Sequence, residues 1–218
     1  MKKLTLIAAA SAALLSPMLS HAESNVNTAA AVASAVTARV NFTVVIPSVL
    51  YLAVGTNTSF AANAAVDSLV FTVPATNIGD STVIAGVGGD QAAGAVSVRV
   101  FSNVGGATGN VNLTSTTTGQ LLLAGTDTIP WTQITVVPAA LGATTPGFTN
   151  GAITHPPFNN GAAGGVTATP TLLTAVGKVV RQEGKWTFSY ANTAAYPAGT
   201  YGGSVAKKGI VTYTATAL

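Results

Sequence analysis

The sequence predicts an all-β fold of about nine strands, arranged as a sandwich or a barrel, behind an N-terminal signal peptide. Valine and threonine favour the pleated strand and are abundant, while glycine, asparagine and proline punctuate the chain at turn positions. Several segments alternate apolar and polar residues with a period of two, the pattern of a half-buried strand. Outside residues 28–38, no segment combines a helical apolar stripe with capping residues.

The first 22 residues have the pattern of a cleavable secretory signal. Lys2 and Lys3 form a positive start, residues 4–19 are apolar, and Ser-His-Ala at 20–22 places small residues at the cleavage site. The apolar stretch is shorter than the ~20 residues that a membrane-spanning helix needs. We therefore expect cleavage after Ala22, export to the periplasm, cell surface or medium, and no stable membrane insertion.

The remaining chain, residues 23–218, is expected to form one β-sandwich domain, with residues 23–38 as a possible extended or disordered arm. The whole chain has nine Lys and Arg against six Asp and Glu, and Lys2 and Lys3 leave with the signal peptide. Such a nearly neutral chain lacks the clustered cations that nucleic-acid binding requires. It has no cysteine, so no disulfide is expected.

Alternation and turn residues define the strand candidates. Two runs, 95–101 and 111–117, flank a glycine-rich turn and predict a hairpin. Further candidate strands are 40–46, 49–54, 69–73, 131–137, 172–181, 185–190, 200–205 and 210–218, with tight connections expected at 182–184 and 206–209. Two long loops, 74–94 and 138–170, separate these strands, and loops of such length are uncommon unless they are functional or mobile.

The N-terminal segment 26–46 alternates for longer than one strand requires. From Val32 to Ile46, every even position except Ser34 is apolar. A strand over 32–46 would be about 50 Å long at ~3.3 Å per residue, whereas ordinary strands have about 5 or 6 residues. The segment could donate a strand to a neighbouring subunit, or it could be an alanine-rich helix or a loose terminus.

The C-terminal stretch is similar to that of bacterial surface β-sandwiches. Residues 197–203 read Pro-Ala-Gly-Thr-Tyr-Gly-Gly, and the alternating segment 210–218 follows them. This resembles the closing turn and last strand of fimbrial subunits of the chaperone–usher type, and also of WxL-type surface domains. The resemblance implies an immunoglobulin-like sandwich that can accept or donate a strand, with Tyr201 packed at a corner.

The sequence carries no catalytic or metal-binding signature, so neither an enzyme nor a cofactor is expected. Beyond the signal peptide the chain has one histidine, His155, and it has no cysteine and no Gly-x-Ser-x-Gly motif. One histidine cannot supply a zinc site. Asp80 and Asp90 lie in the loop 74–94, where turn positions are the ordinary interpretation and a calcium site is the alternative.

Two functional hypotheses remain. The first is an exported structural or surface subunit, for example of a fimbria, that associates with copies of itself or with other subunits by strand exchange. Its candidate residues are Val32, Val36, Val40, Phe42, Val44, Val211 and Tyr213. The second is a monomeric binding module that recognises a glycan or a protein through the loop 138–170. Its candidate residues are His155, Phe158, Trp131 and Trp186. For the two tryptophans the alternative is a place in the core, which is the more common role of a strand tryptophan.

Overall fold

The computed structural model describes residues 23–29, 31–57 and 60–218, so the signal peptide predicted at 1–22 lies outside the described residues. The chain divides into two units, Met1–Ile46 and Pro47–Leu218. The N-terminal unit therefore ends at Ile46, eight residues beyond the end of the expected arm.

The described part of the N-terminal unit contains no strand. The prediction of a strand at 40–46 is therefore wrong for the isolated chain. Arg39 and Glu23 form an ion pair of 2.7 Å between Nε and Oε2, and both side chains are well exposed. Alternation alone did not produce a strand here because a strand also needs a hydrogen-bonded neighbour.

The second unit is built of strands, most of them short, with two turns of 3-10 helix at Ala75–Asn77 and Trp131–Gln133. The strands are β1 (Leu50–Val54), β2 (Leu69–Val70), β3 (Ile84–Ala85), β4 (Val87–Gly88), β5 (Ala95–Ser102), β6 (Val111–Thr117), β7 (Leu121–Leu122), β8 (Thr128–Ile129), β9 (Ile134–Ala139), β10 (Thr149–Asn150), β11 (Gly165–Val166), β12 (Thr171–Leu173), β13 (Val180–Tyr190) and β14 (Thr212–Ala217).

The larger sheet is centred on β5 and β13. The strand β5 pairs with β1 on one side and with β13 on the other, both antiparallel. On its far side β13 pairs antiparallel with β9 and, for two residues, parallel with β10, while β3 extends the sheet at the end of β13. The order across the sheet is therefore β1, β5, β13 and then β9.

The smaller sheet is centred on β6. The strand β14 pairs antiparallel with all of β6 except its last residue, from Thr212 opposite Thr116 to Ala217 opposite Val111. The short strands β11 and β12 pair with the other side of β6. Two small hairpin-like pairs, β2 with β4 and β7 with β8, complete the strands.

One apolar core joins the two sheets, so the expectation of an all-β chain is confirmed and the layers have the arrangement of a β-sandwich. The alternation predicted from sequence determines which residues enter the core. In β5 the inward residues are Val96, Val98 and Val100, and Arg99 points to the other face. The other buried members come from both sheets and their connections: Val111, Leu113, Ile129, Trp131, Ile134, Ile153, Leu173, Val180, Trp186, Phe188 and Tyr190.

Three local expectations are wrong. The runs 95–101 and 111–117 do not form a hairpin, because β5 and β6 belong to different sheets. The tight connection expected at 182–184 is interior to the continuous strand β13, and the turn lies instead between Val176 and Val179. Residues 200–205 form no strand.

The loop 138–170 crosses from the larger sheet to the smaller one. It enters by extending β9 and pairing β10 with β13, and it leaves by pairing β11 with β6. Between these points Ile153 is buried and its carbonyl accepts a hydrogen bond of 2.7 Å from the Trp186 indole. The hydroxyl of Ser115, on the inward face of β6, donates to the Pro157 carbonyl at 2.8 Å. Ile153 and Pro156 are thus buried where the loop crosses between the sheets, while Thr154 and Pro157 stay exposed.

Candidate functional site

The strand β14 forms a free edge of the smaller sheet. Within the described residues it pairs with β6 alone. An edge strand presents a row of N–H and C=O groups that another strand can pair with. Natural proteins usually protect such an edge with charged side chains or proline, and β14 contains neither.

The two faces of β14 differ in chemistry. Tyr213 and Ala215 point inward and pack against the shared core, as does Val211 just before the strand. On the outward face the exposed residues Thr212, Thr214 and Thr216 lie opposite Thr116, Thr114 and Asn112 of β6. The outward face is therefore a regular array of uncharged hydroxyl and amide groups.

The strand β1 is the neighbouring edge of the larger sheet. Among the described residues it pairs with β5 alone, and its inward residues Leu52 and Val54 are only partly buried against the core. Cα atoms of β1 and β14 approach within 8 Å of each other at several positions. A strand held between two others keeps them about 9.6 Å apart, so this side of the sandwich is narrower than an inserted strand would make it.

The candidate donor residues are exposed. Val40, Phe42 and Val44 expose 72%, 85% and 83% of their surface, and Val32 and Val36 are exposed as well. An exposed run of large apolar side chains on one face of a segment is a feature of an interaction site. Within the described residues 23–29 and 31–46, only Glu23 and Arg39 are charged, and Glu23 lies before the donor segment.

The four candidate recognition residues lie together, but mostly inside the protein. The His155 ring stands 4.6 Å from both the Phe158 and the Trp186 rings, and Trp131 stands 4.9 Å from Phe158, centroid to centroid. Trp186 is completely buried and Trp131 is 6% exposed. The expectation that the two tryptophans lie on a recognition surface is therefore corrected: both fill the core, and both indole N–H groups donate to backbone carbonyls.

A small cleft remains beside this cluster. It has a volume of about 240 Å³ and is lined by Ile134, Val136, His155, Pro157 and Phe158 together with Trp131, Thr132 and Asn160. No charged side chain lines it. Such a cleft can accept an uncharged apolar group, but offers few polar groups to orient a sugar.

His155 connects the loop to the edge strand. Its Nε2 atom lies 2.8 Å from the Tyr213 hydroxyl, and the Tyr213 ring packs 5.0 Å from Trp186. Burial lowers the pKa of His155 to about 4, since an imidazolium would lose its hydration in this aromatic surrounding. Burial raises the pKa of Tyr213, so both groups are neutral at pH 7.

A buried ion pair, which the sequence did not single out, lies on the other face of the larger sheet. Glu183 is completely buried, and its Oε2 accepts a hydrogen bond of 3.1 Å from Arg99 Nε, while Oε1 accepts one from the Thr145 N–H. The two side chains come from adjacent strands, β5 and β13, at directly opposed positions. The pair ties the loop after β9 to the sheet, which is a structural role.

Metal-binding side chains do not gather in the described part of the chain. No cluster of three or more His, Asp or Glu residues there could hold a metal ion. Asp80 serves a turn instead: its carboxylate accepts hydrogen bonds from the Thr82 N–H at 2.8 Å and from the Asn77 side chain at 2.9 Å. These bonds lower the pKa of Asp80. No helix among the described residues has the length and apolar character to cross a membrane.

Comparison with known proteins gives no family for this chain. Neither the protein-family models, nor the curated proteins, nor the solved structures contain a match to it.

Proposed function

We propose that this chain is an exported structural subunit of a surface assembly, such as a fimbria, whose copies associate by β-strand exchange. The segment 32–46 of one copy would be the donor and the free edge of β14 in another copy the acceptor. The observation that carries the proposal is that one chain has both an exposed segment with alternating apolar residues and a sheet edge without protecting charges or proline.

The sheet order supports an immunoglobulin-like interpretation of the fold. In immunoglobulin domains the strands A, B, E and D form one sheet, and the strands C, F and G form the other. Here β1, β5, β13 and β9 have the order of the first sheet, and β6 and β14 have the positions of C and F. No described strand lies in the position of G, beside β14. A donated strand would occupy that position.

A corner residue gives further support. The Tyr201 hydroxyl donates a hydrogen bond of 3.0 Å to the carbonyl of Pro197, four residues upstream, in the connection between β13 and β14. Immunoglobulin-like domains carry such a tyrosine corner in the equivalent E–F connection, where it holds the turn into strand F. The sequence Pro-Ala-Gly-Thr-Tyr at 197–201 therefore has a structural role in the connection that precedes the acceptor strand.

The chemistry of the two partners is compatible. Donor residues Val40, Phe42 and Val44 need an apolar surface on one side only, and β14 offers half-buried Tyr213 and Ala215 on its inward side. Moving apolar surface out of water contributes roughly 25 cal/mol per Å², and the added backbone hydrogen bonds fix the register. Arg39, the one charged residue of segment 32–46, lies at an odd position, so the apolar face formed by the even positions carries no charge that would have to be desolvated.

The proposal is tested by light scattering on residues 23–218 with charges placed on one face of the donor. Phe42→Asp with Val44→Asp should abolish oligomers, because two carboxylates would have to enter the apolar side of the acceptor. The matched control is Asn25→Asp with Asn27→Asp, which adds the same charge just before the donor segment and should retain the oligomers. Equal association by both variants, or monomers of the unmodified chain, would refute strand exchange.

The alternative, a monomeric module that recognises a glycan or a protein through the loop 138–170, has less support. Ile153 and Pro156 of that loop are buried, and so are Trp131 and Trp186. The cleft beside His155 and Phe158 is the surviving candidate for such a site.

A further inference from the structure

We infer that the donor strand adds antiparallel to β14 in one defined register, in which Phe42 lies beside Ala215 and Thr43 lies opposite Thr214 of the acceptor copy. This inference rests on the proposed strand exchange and specifies its geometry. Three independent features of the described residues lead to it.

The direction follows from the sheet that receives the strand. Both β14 and β12 are antiparallel to β6, so the smaller sheet is antiparallel wherever it is paired. Antiparallel pairing is slightly more stable per residue than parallel pairing, and it keeps the pattern of the sheet uniform. An antiparallel donor also has the direction of strand G in an immunoglobulin sheet.

The inward side chains then restrict the register by size. The acceptor offers one bulky inward residue, Tyr213, followed by the small residues Ala215 and Ala217. Phe42 is the largest residue of the donor, and packing a large side chain against a small one fills the space between elements without strain. In the proposed register Phe42 lies beside Ala215 and Val40 beside Ala217. A slip of two residues in one direction would place Phe42 against Tyr213 instead.

The outward side chains select the same register by chemistry. Thr43 would extend the existing row of Thr214 and Thr114, and Asn41 would extend the row of Thr216 and Asn112. Cross-strand threonine pairs stabilise antiparallel sheets, and ladders of asparagine add hydrogen bonds between neighbouring strands. The opposite two-residue slip, which places Phe42 beside Ala217, would put Val45 rather than Thr43 next to Thr214.

The absence of cysteine from the chain makes the register measurable by disulfide trapping. Cysteines on neighbouring strands bond only when their Cα atoms are about 4.4–6.8 Å apart, so each pair reports one register. Two single-cysteine variants of residues 23–218, Thr43→Cys and Thr214→Cys, are mixed under mild oxidation, and the mixed disulfide is measured on a non-reducing gel. We expect the mixed species to predominate.

Two matched mixtures distinguish the competing geometries. Arg39→Cys with Thr214→Cys would form the mixed disulfide in a parallel arrangement with Ala38 beside Tyr213. Thr43→Cys with Thr216→Cys would form it in the antiparallel register slipped by two residues. Trapping in either mixture in preference to the first overturns the inferred register but leaves strand exchange standing. Chains that remain monomeric by light scattering and trap in no mixture refute the strand exchange itself.

A size swap provides a second, independent readout. Ala215→Leu should reduce oligomer formation, because the added side chain occupies the space assigned to Phe42. Combining Ala215→Leu with Phe42→Ala should restore it, whereas combining it with Val36→Ala should not. Circular dichroism of each variant before mixing establishes that the acceptor is folded. Equal rescue by both donors would contradict the pairing of Phe42 with Ala215.

Discussion

His155 is a buried base whose neutrality the fold requires. Its imidazole packs among Phe158, Trp186 and Phe188, and its only hydrogen-bond partner described is the Tyr213 hydroxyl. No charged group contributes to the shift of its pKa, which burial alone lowers to about 4. Because the unfolded chain has the ordinary value of 6.5, the unfolded state binds this proton more tightly.

Acid should therefore destabilise the protein through His155. The contribution of His155 to the free energy of unfolding is fully present above pH 6.5, falls as the pH drops towards 4, and changes no further below pH 4. The total loss is up to about 3 kcal/mol. Urea unfolding at pH 7, 5.5 and 4 measures it. His155→Gln, which keeps a hydrogen-bonding group near Tyr213 and does not titrate, should remove this part of the slope. Asp80, whose pKa is lowered, titrates in both proteins and contributes equally to both. If the free energy of unfolding falls equally with pH in the two proteins, the assignment of the acid effect to His155 is wrong.

Arg99 and Glu183 should behave as a unit. Arg99→Met leaves the completely buried carboxylate of Glu183 without its cation, a change that costs about 3–5 kcal/mol in comparable buried pairs. The double variant Arg99→Met with Glu183→Gln should recover part of that loss, since a neutral amide still accepts the Thr145 N–H. Denaturant unfolding of the four proteins in a double-mutant cycle gives the coupling, and additive losses would show that the two side chains are independent.

For single residues, the sequence predicted burial and contacts poorly. The position of Glu183 between Gln182 and Gly184 is typical of a turn, and that interpretation was wrong. Its true surroundings depend on Arg99, which lies 84 residues earlier in the chain. Similarly, the aromatic character of Trp186 is evident in the sequence, but its burial depends on where the loop 138–170 crosses.

Strands were predictable from sequence where a segment of alternating apolar and polar residues also has a hydrogen-bonded neighbouring strand. The period-two pattern of 95–101 puts Val96, Val98 and Val100 on one face, and in β5 this face packs into the core. The connections were not predictable, because alternation carries no information about which sheet a strand joins. The turn at 176–179 was missed because Lys178, with a φ of 64°, occupies a left-handed position that sequence rules assign to glycine or asparagine.

The N-terminal segment shows that alternation alone does not determine whether a strand forms. Its alternation over 32–46 is as regular as that of β5, yet the described residues form no strand. The difference is a partner: β5 lies between two neighbouring strands, whereas a single strand leaves its backbone groups to water. Under the proposed function, the missing partner is β14 of another copy.

For the whole molecule, acceptance of a strand requires movement. The edges β1 and β14 come within 8 Å of each other, closer than the about 9.6 Å that an intervening strand imposes. Leu52 and Val54 of β1 partly cover the core beside β14, so widening this side exposes apolar surface until the donor arrives. The cost of that local opening sets a barrier to assembly.

Strand uptake should consequently be slow and limited by opening of the β1–β14 side. The acceptor is the Phe42→Asp, Val44→Asp variant, which keeps β14 intact. The donor is a fluorescent peptide of residues 32–46, and its binding is measured by fluorescence anisotropy. The uptake rate should level off as peptide concentration rises, because opening precedes binding, and urea below the unfolding transition should raise that limit. The same peptide carrying the two aspartates controls for non-specific uptake. A rate that stays proportional to peptide concentration would show that the edge is already open.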